Sequence, residues 1–147
     1  MGKKRKIPKP AQKIGARRIP ASAVTKSTLS QSTDTDYPSF RFTYADKNRW
    51  TLSDWTAADI NDLIAGFRKI EQYNWAQIKS HGSKKQGESV GTGYKLISHH
   101  PVLPENLPED AKLSEIRLDK EKRLFGFRIR SVYYIVWFDR DHSVCPE

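Results

Sequence analysis

Seven basic side chains fall between positions 117 and 140, and a histidine at position 142 follows them. Arginine binds phosphate groups through paired hydrogen bonds, and aromatic rings beside it can stack on nucleobases. An imidazole near neutral pH can act as a general acid or base. These residue types together predict a sheet surface that binds RNA. The basic residues are Arg117, Lys120, Lys122, Arg123, Arg128, Arg130 and Arg140.

Acidic residues in the same stretch favour a second interpretation. Opposite charges that face each other across neighbouring strands stabilise a sheet, and five carboxylates stand against the seven basic groups. The stretch therefore also fits a salt-bridged sheet surface with little excess charge, and both interpretations stay open. The acidic residues are Glu115, Asp119, Glu121, Asp139 and Asp141.

Three apolar segments separated by short polar breaks carry these charges. They span residues 113–118, 123–129 and 132–139, and they are rich in β-branched and aromatic side chains. Such segments, joined by breaks as short as Arg130-Ser131, predict an antiparallel meander. The last segment is apolar on both faces, which predicts a central strand that is covered on both sides.

The residues before the meander predict a hairpin and a helix. Residues 40–44 alternate apolar and polar side chains, which predicts a half-buried strand, and residues 50–52 would return as its partner. Thr56 and Asp59 have the spacing of a capping box. The apolar positions of residues 60–70 then recur at helical spacing and predict an amphipathic helix that faces the core.

Shorter elements complete the predicted fold. A second short helix is expected from Asn74 to Ile78, with Trp75 packed inward, and a short strand is expected at residues 94–97. Residues 80–93 contain four glycines and three serines, which predicts a loop. The predicted fold class is α+β, with an antiparallel sheet that ends in the three-strand meander and packs against one main amphipathic helix.

The net charge of +9 comes from the first 33 residues, which carry nine basic residues and no acidic one. The rest of the chain carries 17 basic and 17 acidic residues, which cancel. Residues 1–36 predict a disordered basic tail, and residues 37–147 a single domain. The tail could bind phosphates through counterion release or serve only as a solubilising segment. The tail residues assigned to nucleic-acid binding are Lys3, Lys4, Arg5, Lys6, Arg17 and Arg18.

The remaining signals bear on metals and on location. The four histidines and Cys145 lack zinc-ligand spacing, so no metal and no cofactor is predicted. One cysteine cannot form an internal disulfide. No segment approaches the roughly 20 apolar residues of a membrane helix, and no apolar signal-peptide region follows the basic N-terminus. A cytoplasmic protein that does not enter a membrane is therefore expected.

Four segments carry a resemblance to a known family: EIRL at 115–118, KRLFGF at 122–127, YIVWFD at 134–139 and HSVC at 142–145. Their order resembles the C-terminal half of RelE/ParE/HigB-type toxins. The resemblance implies helices packed on a small antiparallel sheet. It also implies metal-independent cleavage of mRNA, often on the ribosome, in which the 2′-hydroxyl attacks the adjacent phosphate. The whole pattern is also similar to small uncharacterised bacterial proteins.

By position, the resemblance implies catalytic roles for Arg117, Arg123, Arg140 and His142, and a phosphate contact for Lys122. The predicted function is a toxin that acts on RNA or the translation machinery as an mRNA endoribonuclease, with RNA or the ribosome as partner and an antitoxin protein as a further partner. Two alternatives stay open. One is a non-catalytic nucleic-acid or ribosome-binding protein, to which Arg128 and Arg130 on one strand face would contribute. The other is a protein–protein interaction module.

Overall fold

The computed structural model describes Gly2, residues 32–82 and residues 91–146. Most of the predicted disordered tail lies outside these residues, as does the centre of the glycine-rich loop. The nucleic-acid contacts assigned to the tail therefore also lie outside the described residues. They concern Lys3, Lys4, Arg5, Lys6, Arg17 and Arg18.

The described chain folds as one five-stranded sheet with two helices, in the strand order β1-β5-β4-β3-β2. The predicted meander is confirmed, since β3, β4 and β5 are consecutive antiparallel neighbours. None of the described helices is long and apolar enough to cross a membrane. In chain order the elements are β1 Ser39–Arg41, α1 Ala57–Ile70, α2 Trp75–Ser80, β2 Lys95–Leu96, β3 Ser114–Arg117, β4 Arg123–Ile129 and β5 Val132–Asp139.

The sheet is mixed, and the prediction of a purely antiparallel sheet is wrong. Strand β1 lies parallel to β5, whereas β2 pairs antiparallel with β3. Parallel pairing is possible here because the long connection between β1 and β5 contains both helices and three strands, as a parallel crossover requires. The two predicted helices are both present, the longer one at Ala57–Ile70 and the short one at Trp75–Ser80.

The predicted N-terminal hairpin does not form among the described residues, because the chain after β1 continues along the edge of β5. The amide of Asp46 donates to the carbonyl of Val136 at 2.9 Å, and the amide of Phe138 donates to the carbonyl of Trp50 at 2.8 Å. These hydrogen bonds occupy backbone groups that a hairpin would have used. The alternating pattern therefore identified a strand, but that strand is Ser39–Arg41 and not residues 40–44, Phe42 is exposed, and the partner is β5.

Helix α1 begins as predicted with a capping box. The side chain of Thr56 accepts from the Asp59 amide at 3.2 Å, and the Asp59 carboxylate accepts from the Thr56 amide at 2.9 Å. Leu63 and Ile70 are buried against the sheet, whereas Ile64 is 52% exposed. The apolar stripe is therefore narrower than the sequence predicted.

Helix α2 also begins with a capping box, formed by Asn74 and Gln77. Trp75, its first residue, is fully buried as predicted. The indole Nε1 of Trp75 donates to the carbonyl of Ser131 at 2.9 Å, in the turn between β4 and β5. A buried indole needs such a partner, and this one ties the helix to the sheet.

The compact unit begins at Thr33, four residues before the boundary that the sequence predicted at position 37. Asp34 forms salt bridges with Lys79 and with Arg128, each at 2.8 Å. The hydrogen bonds from Lys79 and Arg128 lower the pKa of Asp34 below its ordinary value. The guanidinium of Arg128 also lies 4.5 Å from the ring centroid of Trp75. The segment at Thr33 and Asp34 therefore packs on α2 and β4.

Both faces of the sheet are covered, which confirms the prediction for β5. The helices cover one face, and loops before β3 and after β5 cover the other. The buried residues of the helix face are Leu63, Ile70, Trp75, Ile78, Ile116, Leu118, Leu124, Tyr133, Ile135 and Phe138. Those of the loop face are Leu113, Phe125, Phe127, Val136, Trp137 and Val144.

A register shift between β4 and β5 lies at Phe125 and Gly126. A Cβ atom on Gly126 would collide with the backbone carbonyl of Tyr134 and would lie 2.9 Å from the ring of Tyr133. Neither neighbour can move freely, because both belong to the central strand. Glycine is therefore required at this position for the close approach of two backbones.

We expect Gly126→Ala to lower the free energy of unfolding by about 1–3 kcal/mol, because the added methyl group forces two paired strands apart. Urea denaturation followed by tryptophan fluorescence measures this loss. The control is Gly2→Ala, since a Cβ atom on Gly2 meets nothing within 4 Å. Equal stability of both variants would contradict this account of the register shift.

Candidate functional site

An open pocket of about 690 Å³ lies beside the turn that joins β3 to β4. Its lining carries four cationic side chains, one carboxylate and one imidazole. A concave surface with this excess of positive charge attracts phosphate groups, and its guanidinium groups can bind them directly. The lining residues are Lys69, Gly91, Arg117, Leu118, Asp119, Lys120, Arg123 and His142.

Three strand ends position the charged side chains of this region. Side chains alternate along β3, so Ile116 packs into the helix-side core while Glu115 and Arg117 point to the other face. Arg123 begins β4 directly opposite Arg117. Asp139 ends β5 directly opposite Arg123. The fold therefore gathers charges that lie far apart in the sequence at one end of the sheet.

The carboxylate of Glu115 is the buried centre of this cluster, and the residue is only 3% exposed. Its Oε2 lies 3.2 Å from Lys95 Nζ, and its Oε1 lies 3.5 Å from Arg123 Nε. The same Oε1 lies 3.6 Å from His142 Nε2. Among the described residues, neither Glu115 Oε1 nor His142 Nε2 has a hydrogen-bond partner, although both atoms are buried. The buried carboxylate of Glu115 therefore faces the buried Nε2 edge of a half-buried imidazole.

Arg123 divides its hydrogen bonds between the turn and the cluster. One terminal nitrogen donates to the carbonyls of Asp119 at 2.7 Å and Lys122 at 3.1 Å, and the other donates to the carbonyl of Lys120 at 3.0 Å. Since a guanidinium has five N–H groups and Nε faces Glu115, one N–H remains for a ligand in the pocket. Burial lowers the pKa of Arg123, and the nearby Glu115 opposes that shift. Arg123 therefore stabilises the turn as well as facing the pocket.

Lys122 is engaged by carboxylates on α1 and on the turn. Its Nζ lies 3.3 Å from Asp59, 3.1 Å from Asp62 and 3.4 Å from Asp119. Burial disfavours its charged form, but these three partners outweigh burial and raise the pKa of Lys122 above its ordinary value. The predicted phosphate contact at Lys122 therefore competes with three carboxylates that already surround the ammonium group.

The structure brings together Arg117, Arg123 and His142 but places Arg140 elsewhere. Arg140 lines a separate polar pocket that also contains Trp50. Its guanidinium donates to the carbonyl of Asp54 and lies 3.1 Å from the carboxylate of Asp141. The hydrogen bond with Asp141 and then the charge of that carboxylate raise the pKa of Arg140. Arg140 therefore does not join the predicted catalytic group.

Arg128 and Arg130 lie at the other end of β4. Arg128 is about 17 Å along the strand from Arg123, at ~3.4 Å per residue. Its guanidinium forms a salt bridge with Asp34 and lies over the ring of Trp75. Arg130 lies in the turn before β5 with a φ of 56°. The two residues therefore do not extend the pocket, and any nucleic-acid contact they make belongs to a different part of the surface.

Sequence reasoning missed three charged residues that the structure brings to this region. Glu115 was assigned only as an acid that neutralises nearby bases, and Lys95 and Lys69 were not assigned at all. Residues 113, 115 and 117 share one face of the predicted strand. Because the apolar Leu113 is buried on that face, the sequence could have indicated that Glu115 is buried there too. The sequence contained no comparable signal for Lys69, which lies on an exposed helix surface.

A histidine clamp fixes the edge of the pocket at Gly91. The amide of Thr92 donates to His81 Nδ1 at 3.2 Å, and the carbonyl of Thr92 accepts from the Arg117 amide at 2.7 Å. The ring of Tyr73 packs edge-on against His81 with centroids 4.6 Å apart. Because Nδ1 accepts a hydrogen bond, His81 is neutral in this arrangement. The clamp therefore connects α2 to the backbone of β3.

The His81 clamp predicts a pH dependence of stability. Burial, and secondarily the charge of Lys69, lower the pKa of His81 below its ordinary 6.5. At a pH between the lowered pKa of His81 in the folded protein and its ordinary pKa in the unfolded chain, the unfolded chain binds more protons. The contribution of neutral His81 to the free energy of unfolding is therefore complete above about pH 6.5, and it is lost as the pH falls through the pKa of the folded protein. Urea denaturation measures the free energy of unfolding at about pH 5.5 and about pH 7.5. The difference between the two pH values should be smaller for His81→Gln than for the original chain. An equal change in both proteins would contradict the clamp.

Among the residues that the structure describes, no group of three His, Cys, Asp or Glu side chains is arranged to hold a metal ion. Comparisons with family models, with curated proteins and with solved structures found no match to this chain. The resemblance of residues 115–145 to RelE/ParE/HigB-type toxins stays a prediction.

Proposed function

We propose that this protein is a RelE-like, metal-independent endoribonuclease whose substrate phosphate binds in the pocket beside the β3–β4 turn. The observation that carries the proposal is the approach of the half-buried His142 imidazole to the buried Glu115 carboxylate beside a cationic pocket. A carboxylate, an imidazole and several cations supply the functions that cleavage of RNA requires. They move protons and stabilise the negative charge that develops at phosphorus.

Glu115 and His142 form an orienting pair in this proposal. Nε2 of His142 faces the buried carboxylate at 3.6 Å, so the proton on the neutral ring is favoured there. This arrangement leaves Nδ1, the other nitrogen, for the substrate. His142 is 21% exposed, although its Nε2 is buried, so another edge of the ring reaches the surface. His142 therefore acts on the substrate, and Glu115 orients it.

The proposed reaction is an attack of the 2′-hydroxyl on the adjacent phosphorus atom. His142 Nδ1 accepts the hydroxyl proton as the new P–O2′ bond forms and the P–O5′ bond breaks. The departing 5′-oxygen takes a proton from water, and the hydroxide so formed takes up the proton held by His142. The products are a 2′,3′-cyclic phosphate and a 5′-hydroxyl. Arg117, Lys120 and the remaining N–H of Arg123 stabilise the charged pentavalent phosphorane.

We expect the full chain to cleave a defined single-stranded mRNA in the presence of EDTA, and His142→Ala to lower the rate by about 10²- to 10⁴-fold because the general base is lost. Primer extension locates the new 5′ ends on free RNA in EDTA and, in a separate reaction in magnesium buffer, on RNA bound to ribosomes. The matched control is His100→Ala, since His100 is exposed and, within the described part of the chain, its ring hydrogen-bonds only with the carbonyl of its neighbour Pro101. This control should cleave at the original rate.

Absence of cleavage by folded protein under both conditions would contradict the proposed activity. Equal cleavage by His142→Ala would contradict the assigned site. Arg123→Ala is a poorer test of the site than His142→Ala, because it also removes three hydrogen bonds from the β3–β4 turn. Loss of activity in that variant would not separate catalysis from folding.

The second candidate function is non-catalytic binding of nucleic acid, favoured by the nine basic and zero acidic residues of positions 1–33. Charge of this density binds phosphates by releasing counterions, without reading sequence. In that case the pocket contributes little to affinity and the tail contributes most of it.

Deleting residues 1–31 should make RNA binding less dependent on salt. If all nine tail charges contact single-stranded RNA, the slope of log affinity against log salt changes by about 6, at ~0.7 per phosphate contact. Fluorescence anisotropy at several salt concentrations measures the slope. A full-length control with all nine basic residues changed to glutamine separates charge from length. An unchanged slope in both variants would assign binding to the domain.

A further inference from the structure

We infer that Asp139 is a positioning residue that holds His142 towards Glu115, an inference that rests on the proposed RNA cleavage. Asp139 ends β5 and is fully buried. His142 follows it by three residues and lines the pocket. Asp139 is absent from the pocket lining, so it acts through the turn that follows it.

Both carboxylate oxygens of Asp139 bind the residues just after His142. Oδ1 accepts from the Ser143 amide at 2.9 Å and from the Ser143 hydroxyl at 3.2 Å, and Oδ2 accepts from the Val144 amide at 2.9 Å. The indole of Trp50 donates to the same hydroxyl at 2.9 Å. Since the carboxylate belongs to the end of a central strand, these bonds fix the turn against the rigid part of the fold.

The backbone of His142 lies in the left-handed region, with a φ of 57°. A residue with a side chain is strained there, and glycine adopts the same conformation without that strain. The contacts of Asp139 hold the strained turn in place. The conformation turns Nε2 towards the carboxylate of Glu115 at 3.6 Å. A turn that only reversed the chain would need no imidazole at this position.

The experiment compares Asp139→Asn with a matched variant, Asp46→Asn. The Asp46 carboxylate also closes a turn, since it accepts from the amides of Asn48 at 2.9 Å and Arg49 at 3.3 Å. It also accepts from the indole of Trp137 at 2.9 Å. Both substitutions replace one acceptor oxygen by an amide group that cannot accept. Only the turn of Asp139 carries His142.

We expect Asp139→Asn to lower kcat by about 10- to 100-fold with little change in KM, because the imidazole loses its alignment while the cationic lining stays in place. Asp46→Asn should leave kcat unchanged even where it lowers the melting temperature. Equal losses of kcat in the two variants, or a change confined to KM, would overturn the inference.

A second readout does not depend on activity. In proton–carbon NMR spectra, Asp139→Asn should shift and broaden the ring signal of His142, and the amides of Ser143 and Val144 should lose protection from hydrogen exchange. Asp46→Asn should do neither. If the original chain does not cleave RNA but these changes occur, the proposed function fails and the positioning role stands. An unchanged His142 signal in Asp139→Asn would overturn the positioning role.

The strain at position 142 has its own test. His142→Gly should melt at a higher temperature than His142→Ala, because both variants lose the imidazole and only glycine adopts the positive φ freely. Both variants should lose cleavage activity to the same extent. A lower melting temperature for the glycine variant would show that the turn is not strained, which would overturn the argument for an imposed orientation.

Discussion

Burial of the Glu115 carboxylate is the constraint on which the site depends. A charge that is 3% exposed is costly unless cations and hydrogen bonds compensate it. Lys95 and Arg123 supply the cations, at 3.2 Å and 3.5 Å. The carbonyls of the β3–β4 turn accept hydrogen bonds from three of the other four N–H groups of Arg123, which offsets the cost of burying its guanidinium. The ion pair, the turn and the pocket wall therefore form together, and the remaining side of the carboxylate faces His142.

Strand β5 connects this cluster of charged residues to the rest of the fold. One edge of β5 pairs with β4, and the other edge pairs with β1 and then with Asp46 and Trp50. Two buried aspartates close turns next to this strand, Asp46 before it in sequence and Asp139 at its end. Trp50 joins the two regions through its bond to Ser143. The residues beside the pocket are thus supported by a strand that is hydrogen-bonded along both of its edges.

Positive charge is distributed between two parts of the chain with different physical consequences. The tail carries the whole net charge in sequence, and its attraction for phosphate depends on charge number and on salt. The domain is neutral overall. Its pocket is cationic because acidic residues such as Asp59 and Asp62 form salt bridges with a basic residue outside the pocket, Lys122, and not with the basic residues that line it. Attraction of RNA and orientation of one phosphate are therefore separable properties.

Local patterns determined much of this protein by themselves. The bounds of β4 and β5, the cap at Thr56 and the burial of Trp75 follow from alternation, capping chemistry and apolar character, all of which act between neighbours in sequence. Tertiary structure alone decided that β1 is parallel to β5, since pairing across a long connection leaves no local pattern. It also separated Arg140 from the pocket and brought Glu115 against His142. The sequence determines the charge of each side chain, but the partner of that charge depends on which strand ends the fold brings together.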